Sequence, residues 1–595
     1  MSWKQTSRNQ ARLAEEKGWV PVNPGGRIRI ALAFPNTYRL GMSNLGFQVV
    51  YRILNELPDV SCERVFYPDA DLLPDFRAGR ERLQSLESGR PAGDFHLLAF
   101  SVPFENDYPN LLEMIRFSGL PLRSRDREDD HPLVAVGGVA AFLNPEPLAP
   151  FADLVFVGEA EGLLPAFVEK WKELEETAGI SREDLLETLA SDVPGIYVPR
   201  LYEPRFGPDG LLEGFRRKKR SLPKRIRAAR ALSLDDSPAQ SVFVCRDTEF
   251  SETALVEIGR GCGRGCRFCA AGFIYRPPRF RSADSVLAAA RSWRDHTGRV
   301  GLVSAAVADH PDTERLCRDL LGEGFELTFS SLRADRVSPE ILKSAGESVL
   351  KSVAIAPEAG SERLRRVINK DLSDEEILEA AERLTHCGIL HLKLYFMIGL
   401  PTETPDDLEA AVALVKRLKH HVLERSRGKK RIGTITVSIH SFVPKPFTPF
   451  QWVPFAGVGP LKEKARWIGR ALGRVANVRV HFDLPKWAYV QALLARGDRR
   501  VADMLEKVVW EGLSWTQVFK KSPHNPDFWV SREREPDEHF PWEVLDHGIK
   551  RSYLWAEYRK ALEGAATEAC DPRSDCTRCG ACARTPPGPS GTRRS

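Results

Sequence analysis

The run Glu257-Ile258-Gly259-Arg260-Gly261-Cys262-Gly263-Arg264-Gly265-Cys266-Arg267-Phe268-Cys269 constrains this chain more than any other. It sets three cysteines at C-x3-C-x2-C spacing, just after a short apolar stretch, Ala254 to Ile258, that reads as a strand. Three thiolates on one compact loop can hold three corners of a cubane iron–sulfur cluster. A cubane has four irons, so this loop leaves one iron without a protein ligand, and an open coordination site is what catalysis needs. Glycines at 261, 263 and 265 let the backbone wrap closely around such a cluster. The plainer readings are three structural cysteines or a zinc knuckle. Structural zinc takes four ligands, and no fourth Cys or His lies in this loop.

The rest of the composition suits a large enzyme. At 595 residues the chain has room for several domains. A hydrophobic share of 42% can fill buried cores, and 28% charged residues suit a soluble surface. The 86 basic and 81 acidic residues leave a net charge of +5, which does not demand a nucleic-acid partner. Met1 to Gly18 is polar, so no secretory leader is expected, and no apolar run approaches a membrane span. Of the 11 cysteines, seven lie in two tight clusters. That usage points to metal ligation in a reducing cytoplasm rather than to disulfides.

Two stretches alternate strand-like and helix-like segments, which predicts an α/β architecture. In the first, Ile28–Phe34, Leu97–Val102, Leu133–Val136 and Leu154–Val157 read as buried strands, and 46–57 has helical spacing. This implies a doubly wound, Rossmann-like domain over 27–204 after a lead at 1–26. In the second, over 251–477, strands are expected at Ala254–Ile258, Val300–Ser304, Glu326–Ser330, Val349–Ala356, Leu390–Ile398 and Gly433–His440. Helical segments lie between them, such as Ser373 to His386 and Thr404 to Leu418. Six strand–helix units make a partial (β/α)6 barrel, with chemistry at the carboxyl ends of the strands. Between the two lies a basic linker, 205–250, with Arg216-Arg217-Lys218-Lys219-Arg220 and Lys224-Arg225-Ile226-Arg227. Such runs can bind RNA phosphates but are more often solvated faces, as is Lys416–Lys419 to Lys429-Lys430-Arg431 at a helix end.

The cysteine run resembles the signature of the radical S-adenosylmethionine (radical SAM) enzymes. The resemblance implies a [4Fe-4S] cluster on Cys262, Cys266 and Cys269, with SAM chelating the open iron. One electron then cleaves SAM to methionine and a 5′-deoxyadenosyl radical, and a reducing partner such as flavodoxin or ferredoxin is implied. Phe268 would pack near the adenine side. Similarity to related enzymes at other strand ends places Glu358 and Ser361 near SAM polar groups. It leaves Arg363, Arg365 or Lys370 to meet the SAM carboxylate. Gly399 would permit close backbone approach to the adenine. Ordinary turn chemistry and helix capping account for the same residues in the plainer reading.

The N-terminal half resembles the cobalamin-binding domains fused to radical SAM domains. The resembling pieces are the Gly137-Gly138 turn, Asn144-Pro145-Glu146-Pro147 and Val157-Gly158-Glu159-Ala160-Glu161. Many such domains carry Asp-x-His-x-x-Gly after the first strand, with the histidine on cobalt. Here the stretch is Asn36-Thr37-Tyr38-Arg39-Leu40-Gly41, so Tyr38 stands in for the histidine and Gly41 for the glycine. A neutral phenol is a poor cobalt ligand, so any bound cobalamin lacks a histidine below, or the domain keeps the fold without the cofactor. If cobalamin binds, Tyr38, Gly41, Gly137 and Gly138 are the residues expected around it; the plainer reading of the glycines is tight turns.

His440 to Trp452 carries Phe442-Val443-Pro444-Lys445-Pro446-Phe447, which resembles a segment of cobalamin-domain radical SAM proteins. It reads as a rim closing the barrel mouth or as a purely structural lid. Residues 478–565 are helical in pattern and rich in tryptophan, as a docking domain for the barrel would be. Then Cys570, Cys576, Cys579 and Cys582 follow over 566–583 at C-x5-C-x2-C-x2-C spacing. Four thiolates can close an auxiliary iron–sulfur cluster or a zinc site, and the Cys576–Cys582 run leans ferredoxin-like. The tail at 584–595 reads as disordered.

The whole layout resembles the cobalamin-domain radical SAM proteins. It implies a SAM-cleaving radical enzyme acting on an unactivated C–H bond, with methyl transfer as the outcome if cobalamin is present. The first alternative is radical modification of RNA without cobalamin. Methylthiotransferases of that kind carry a cysteine trio in their N-terminal domain, where this chain has only Cys62. The alternative from another class is a non-catalytic iron–sulfur or SAM-binding regulator. No motif specifies a substrate.

Overall fold

The computed structural model describes residues 3–18, 20, 23, 25–176, 179–329, 352–425, 433–571 and 576–582. Ser330, the start of the fourth barrel strand at 349–351, the basic run Lys429-Lys430-Arg431 and the tail from 583 on lie outside them.

A helix, α1 (Trp3–Glu15), precedes the N-terminal sheet. The sheet contains β1 (Ile28–Phe34), β2 (Val60–Phe66), β3 (Leu97–Ser101), β4 (Leu133–Gly137), β5 (Leu154–Phe156) and β6 (Ile196–Tyr197). Their order is β2-β1-β3-β4-β5-β6, all parallel except the last. This is a doubly wound sheet whose order reverses between β1 and β3. Strands buried on both faces explain the continuous apolar runs of β1, β3 and β4.

Strand β2 does not follow that pattern. Its sequence, VSCERVF, is polar in the middle yet buried throughout. Arg64 is held by both oxygens of Glu16 at 2.7 Å and by Glu87 at 2.7 Å. Glu63 accepts from the Ser88 hydroxyl at 2.6 Å. Paired and hydrogen-bonded charges can be buried where lone ones cannot. The lead before β1 is therefore part of the domain, with Arg8 and Arg12 also pairing with Asp69.

The second parallel system has β7 (Ala254–Glu257), β8 (Arg299–Val303) and β9 (Glu326–Phe329) in one sheet. The other sheet holds β10 (Ser352–Glu358), β11 (His391–Ile398), β12 (Thr434–Ser441) and β13 (Val478–Phe482). Every neighbouring pair is parallel. The six expected strands are joined by β13, which lies beyond the expected barrel end at 477 and pairs with β12.

The basic linker is not a free loop. Tyr202–Phe206 and Leu212–Arg217 form a hairpin. Ile226–Arg227 pairs with Leu545–Asp546, and Phe243–Val244 pairs with Lys17–Gly18. Much of its charge is used internally: Arg216 donates to Glu203 at 2.9 Å, and Arg225 donates to the carbonyls of Glu543 and Leu545.

The C-terminal helices include α2 (Pro485–Arg496), α3 (Ala502–Trp510) and α4 (Arg551–Leu562). They dock on the N-terminal domain as well as on the barrel, which is a wider role than the sequence led us to expect. Asn144 donates to the carbonyls of Ala495 and Gly497, Arg499 pairs with Glu146, and Arg123 pairs with Glu506. No helix of the described residues is long and apolar enough to cross a membrane.

Candidate active site

The cysteine loop leaves β7 at the carboxyl end of the first barrel strand, where parallel-barrel chemistry sits. Gly259–Arg260 pairs antiparallel with Arg279–Phe280 and closes the loop at its base. Gly261 has φ +85°, and a Cβ there would lie 2.5 Å from the Tyr275 carbonyl oxygen. Gly265 has φ +73°, with the Arg276 guanidinium 2.8 Å from where a Cβ would be. Gly261 needs glycine on conformation and on space, and Gly265 on conformation.

Cys262, Cys266 and Cys269 are half-buried on this loop. The Cys269 thiol is pushed up to about 11, first by burial and then by the neighbouring Cys266 and Cys262. Thiols that raise one another in this way share one region, and positive metal charge there would offset the cost of ionising them. Among the described residues, no three His, Cys, Asp or Glu side chains converge closely enough to hold one metal ion. A multi-iron cluster does not require that convergence, because it spans its ligands. The donor set, three thiols on one glycine-rich turn, fits such a cluster.

Arg267 anchors the loop. Its side chain is fully buried and donates to the carbonyls of Arg366 (3.1 Å), Val367 (3.0 Å) and Ala565 (2.7 Å). Arg366 and Val367 end a helix, Glu362–Val367, whose last carbonyls favour a cation. Asn369, left-handed at φ +54°, donates to the carbonyls of Arg264 and Gly265 from the other side. Phe268 is partly buried and packs against the main core.

Arg260 links the loop base to the N-terminal domain. It pairs with Glu159 at 3.1 Å, Glu161 at 2.6 Å and Glu257 at 2.9 Å. Arg279 pairs with Glu159, and Arg281 with Glu257 at 3.0 Å. Burial alone would raise the Glu161 carboxyl, but Arg260 outweighs it and holds the group below the usual range. Beside this network opens a cavity of about 350 Å³. Gly259, Gly261, Tyr275 and Ser304 line its barrel side, and Leu45 and Gly158 its N-terminal side. In the sequence Glu161 stands out only within the Val157–Glu161 piece and Arg260 only within the cysteine run; nothing there announces that the two pair across the domains.

The other expected SAM contacts divide. Glu358, at the end of β10, has φ +67° and lies 3.5 Å from the Lys370 ammonium. Ser361 is a helix cap: it accepts from Leu364 N–H at 3.0 Å and bonds Asp407, so the capping reading holds for it. Arg365 is fully buried on the carbonyls of Ala359, Gly360 and Leu372, and Arg363 pairs with Asp407. Of the three cations, Lys370 alone sits beside Glu358. Gly399 has φ +83°, but a Cβ there would meet Leu461 at 2.8 Å and Ala456 at 3.0 Å. Its N–H is held by Glu403 at 3.0 Å. The glycine is therefore required by this packing.

The residues expected around cobalamin are also committed elsewhere. Tyr38 is buried, stacked edge-on to Phe66, and donates to Glu16 at 2.7 Å. A Cβ on Gly41 would lie 2.5 Å from the Phe66 ring, and one on Gly138 2.6 Å from the Val102 carbonyl oxygen. Gly137 only touches Phe156 at ordinary contact distance. At the switch point Asn36 donates to Asp107, and Asn110 to the Pro35 carbonyl. Glu105 is paired with Lys445 and Gln491, so Phe442–Phe447 wedges between domains. These side chains, as arranged, do not form a corrin cradle.

Comparison with known proteins agrees with the barrel and its loop. Residues 256–415 match the model of the radical SAM superfamily, and residues 46–199 match that of radical SAM proteins, N-terminal. The chain is 30% identical over 482 residues to the uncharacterized protein MJ0966 of Methanocaldococcus jannaschii, covering 80% of this chain and 90% of that one. A tRNA-2-methylthio-N(6)-dimethylallyladenosine synthase of Sorangium cellulosum is 24% identical over 221 residues, 32% of this chain and 44% of that protein. Among solved structures, the cobalamin-dependent S-adenosylmethionine radical enzyme OxsB with aqua-cobalamin bound aligns at TM-score 0.46 and 13% identity, covering 90% of this chain and 80% of that one. The cysteine loop at the first strand end, the two family matches and a relative matched over nearly its whole length show that this chain belongs to the radical SAM superfamily, with a Rossmann-like domain ahead of the barrel.

Proposed function

We propose that the chain is a radical SAM enzyme that binds a [4Fe-4S] cluster on Cys262, Cys266 and Cys269 and SAM at the adjoining cavity. The observation that carries this reading is the three-thiol loop at the carboxyl end of β7, with a cavity of about 350 Å³ opening beside it. With a cluster and SAM bound there, the site would supply one-electron cleavage of SAM to methionine and a 5′-deoxyadenosyl radical.

The protein's own residues position and shield. Gly261 and Gly265 let the loop turn tightly, and Arg267 and Asn369 fix it from below. The Arg260 network ties the base of the loop to the N-terminal domain beside the cavity. The Glu358–Lys370 pair at the end of β10 offers one anion and one cation to the amino and carboxylate groups of SAM. Flavodoxin or ferredoxin would supply the electron.

The finer reading is methyl transfer to an unactivated carbon with cobalamin. Tyr38, Gly41 and Gly138 do not fit a corrin as they stand. Retention of corrin absorbance after incubation with hydroxocobalamin and desalting would support this reading; its absence would leave the N-terminal domain as a docking platform. The second reading, radical modification of RNA without cobalamin, is favoured by the match to the tRNA-modifying synthase. Cys62, the cysteine of β2, is fully buried and its thiol is raised by burial, so it offers no exposed ligand.

The test is an anaerobic product assay. Reconstituted, dithionite-reduced protein is incubated with SAM and analysed by mass spectrometry. The proposal expects 5′-deoxyadenosine from the native protein and none from Cys262→Ala. S-adenosylhomocysteine alongside it would favour methyl transfer. Neither product from a protein with a full cluster would favour a binding scaffold.

A further inference from the structure

The four C-terminal cysteines lie far from the first three in sequence, yet the chain carries Cys570 back onto the first loop. The segment from Ala565 to Cys570 runs along its underside. Asn369 holds both edges of this contact: it accepts from Thr567 N–H at 2.8 Å and donates to the Thr567 carbonyl at 3.2 Å, while also donating to Arg264 and Gly265. Cys570 N–H then donates to the Gly263 carbonyl at 2.7 Å. A Cβ on Gly263 would lie 2.8 Å from the Cys570 carbonyl oxygen, so this glycine makes room for the returning segment.

The last three cysteines close over the start of α4. Lys550 N–H donates to the Cys579 carbonyl at 2.8 Å, and the Lys550 ammonium donates to the Thr577 carbonyl at 3.0 Å. Gly580, at φ +91°, turns the chain there. Cys570, Cys576, Cys579 and Cys582 act on one another electrostatically and so occupy one neighbourhood. Arg276 faces Cys570 and Cys579, and the Arg578 Nε lies 3.3 Å from Cys576 Sγ.

We infer that Cys570, Cys576, Cys579 and Cys582 form a second, four-thiolate metal centre that latches the C-terminal segment onto the Cys262–Cys269 loop. Four thiolates around one divalent ion, or around an iron–sulfur core, carry net negative charge, and the two arginines face that charge. A single tetrahedral zinc would draw the four sulfurs to about 3.8 Å of one another, and among the described residues no three thiols stand that close to one ion. A [4Fe-4S] cluster needs no such convergence, and both metals use the same thiolate chemistry. The metal site stands on the second cluster alone. The latch rests on the proposed role of the first loop.

The test separates the two sites. Full-length Cys262→Ala/Cys266→Ala/Cys269→Ala protein, purified anaerobically, is assayed for iron, zinc and acid-labile sulfide. The inference expects bound metal in this variant, with iron and sulfide identifying a cluster and zinc a mononuclear site. It also expects that metal to be lost when Cys576→Ala and Cys579→Ala are added. Folded triple variant without metal overturns the inference, whatever the fate of the first site. Should that variant not fold, Cys576→Ala/Cys579→Ala in an otherwise native chain must lose metal beyond the complement of the first cluster. The latch is read separately in that double variant by hydrogen exchange: amides of 263–267 should exchange at least tenfold faster than in the native protein. Unchanged exchange would overturn the latch.

Discussion

The side chain of Asn369 joins two segments distant in sequence, through its Oδ1 and Nδ2 contacts to Thr567 and its Nδ2 contacts to the Arg264 and Gly265 carbonyls. One amide thus fixes the underside of the cysteine loop and the start of the C-terminal strap. Replacing it with alanine leaves buried backbone groups without partners and loses a residue suited to φ +54°. Asn369→Ala should cost about 2 kcal/mol of stability. It should also speed iron release to a chelator from the reconstituted protein, a readout that a remote surface change would not move.

Arg267 tests the anchoring of the loop from below. Its buried guanidinium bonds three main-chain carbonyls and lies 3.3 Å from Glu557. Arg267→Met should lower stability by about 3 kcal/mol, because the carbonyls and the buried carboxylate lose their cation. Arg267→Lys should recover only part of it, since an ammonium cannot reproduce the fork. Thermal unfolding of the two variants side by side checks this order.

Arg260 meets three carboxylates where Glu161 meets one arginine. Glu159 and Glu257 keep Arg279 and Arg281 when Arg260 is removed, whereas Glu161 is left with no ion pair among the described residues. Arg260→Ala should therefore be more damaging than Glu161→Gln, by about 2 kcal/mol. The measurement is denaturant unfolding of both variants, with protease cutting between the domains as a second readout.

His547 supplies a pH dependence. Its Nε2 donates to the Phe142 carbonyl at 2.7 Å, and burial brings its pKa down to about 4. The unfolded chain takes up the proton near the ordinary value of 6.5, while the folded chain resists until about 4. The stability is therefore fully present above pH 6.5 and is lost as pH falls through that window, by about 2 kcal/mol at pH 5. His547→Gln should flatten this part of the stability profile, measured as unfolding midpoints between pH 7 and pH 5.

What could be read from the sequence follows locality. The cysteine loop and its strand are contiguous, and the apolar runs of β1, β3 and β4 announce a buried parallel sheet. Strand β2 was invisible because Glu63 and Arg64 are buried by partners 25 and 48 residues away, at Ser88 and Glu16. The same holds for the site. Cys262, Cys266 and Cys269 name themselves by spacing, whereas Arg260, Arg267 and Asn369 act through residues 99, 298 and 198 positions distant. At Ser361 and Gly399 the sequence does not separate roles, because capping and tight packing use the same residue types at strand ends as ligand contacts do.

The central claim is that the Cys262–Cys269 loop holds a cluster with one iron open to SAM. The most direct measurement is the electron paramagnetic resonance spectrum of the reduced, reconstituted protein before and after SAM is added, alongside Cys262→Ala. The account predicts a reduced [4Fe-4S] signal that shifts on SAM addition in the native protein, and no SAM-dependent signal in the variant. A native protein with a full cluster whose spectrum ignores SAM would contradict it.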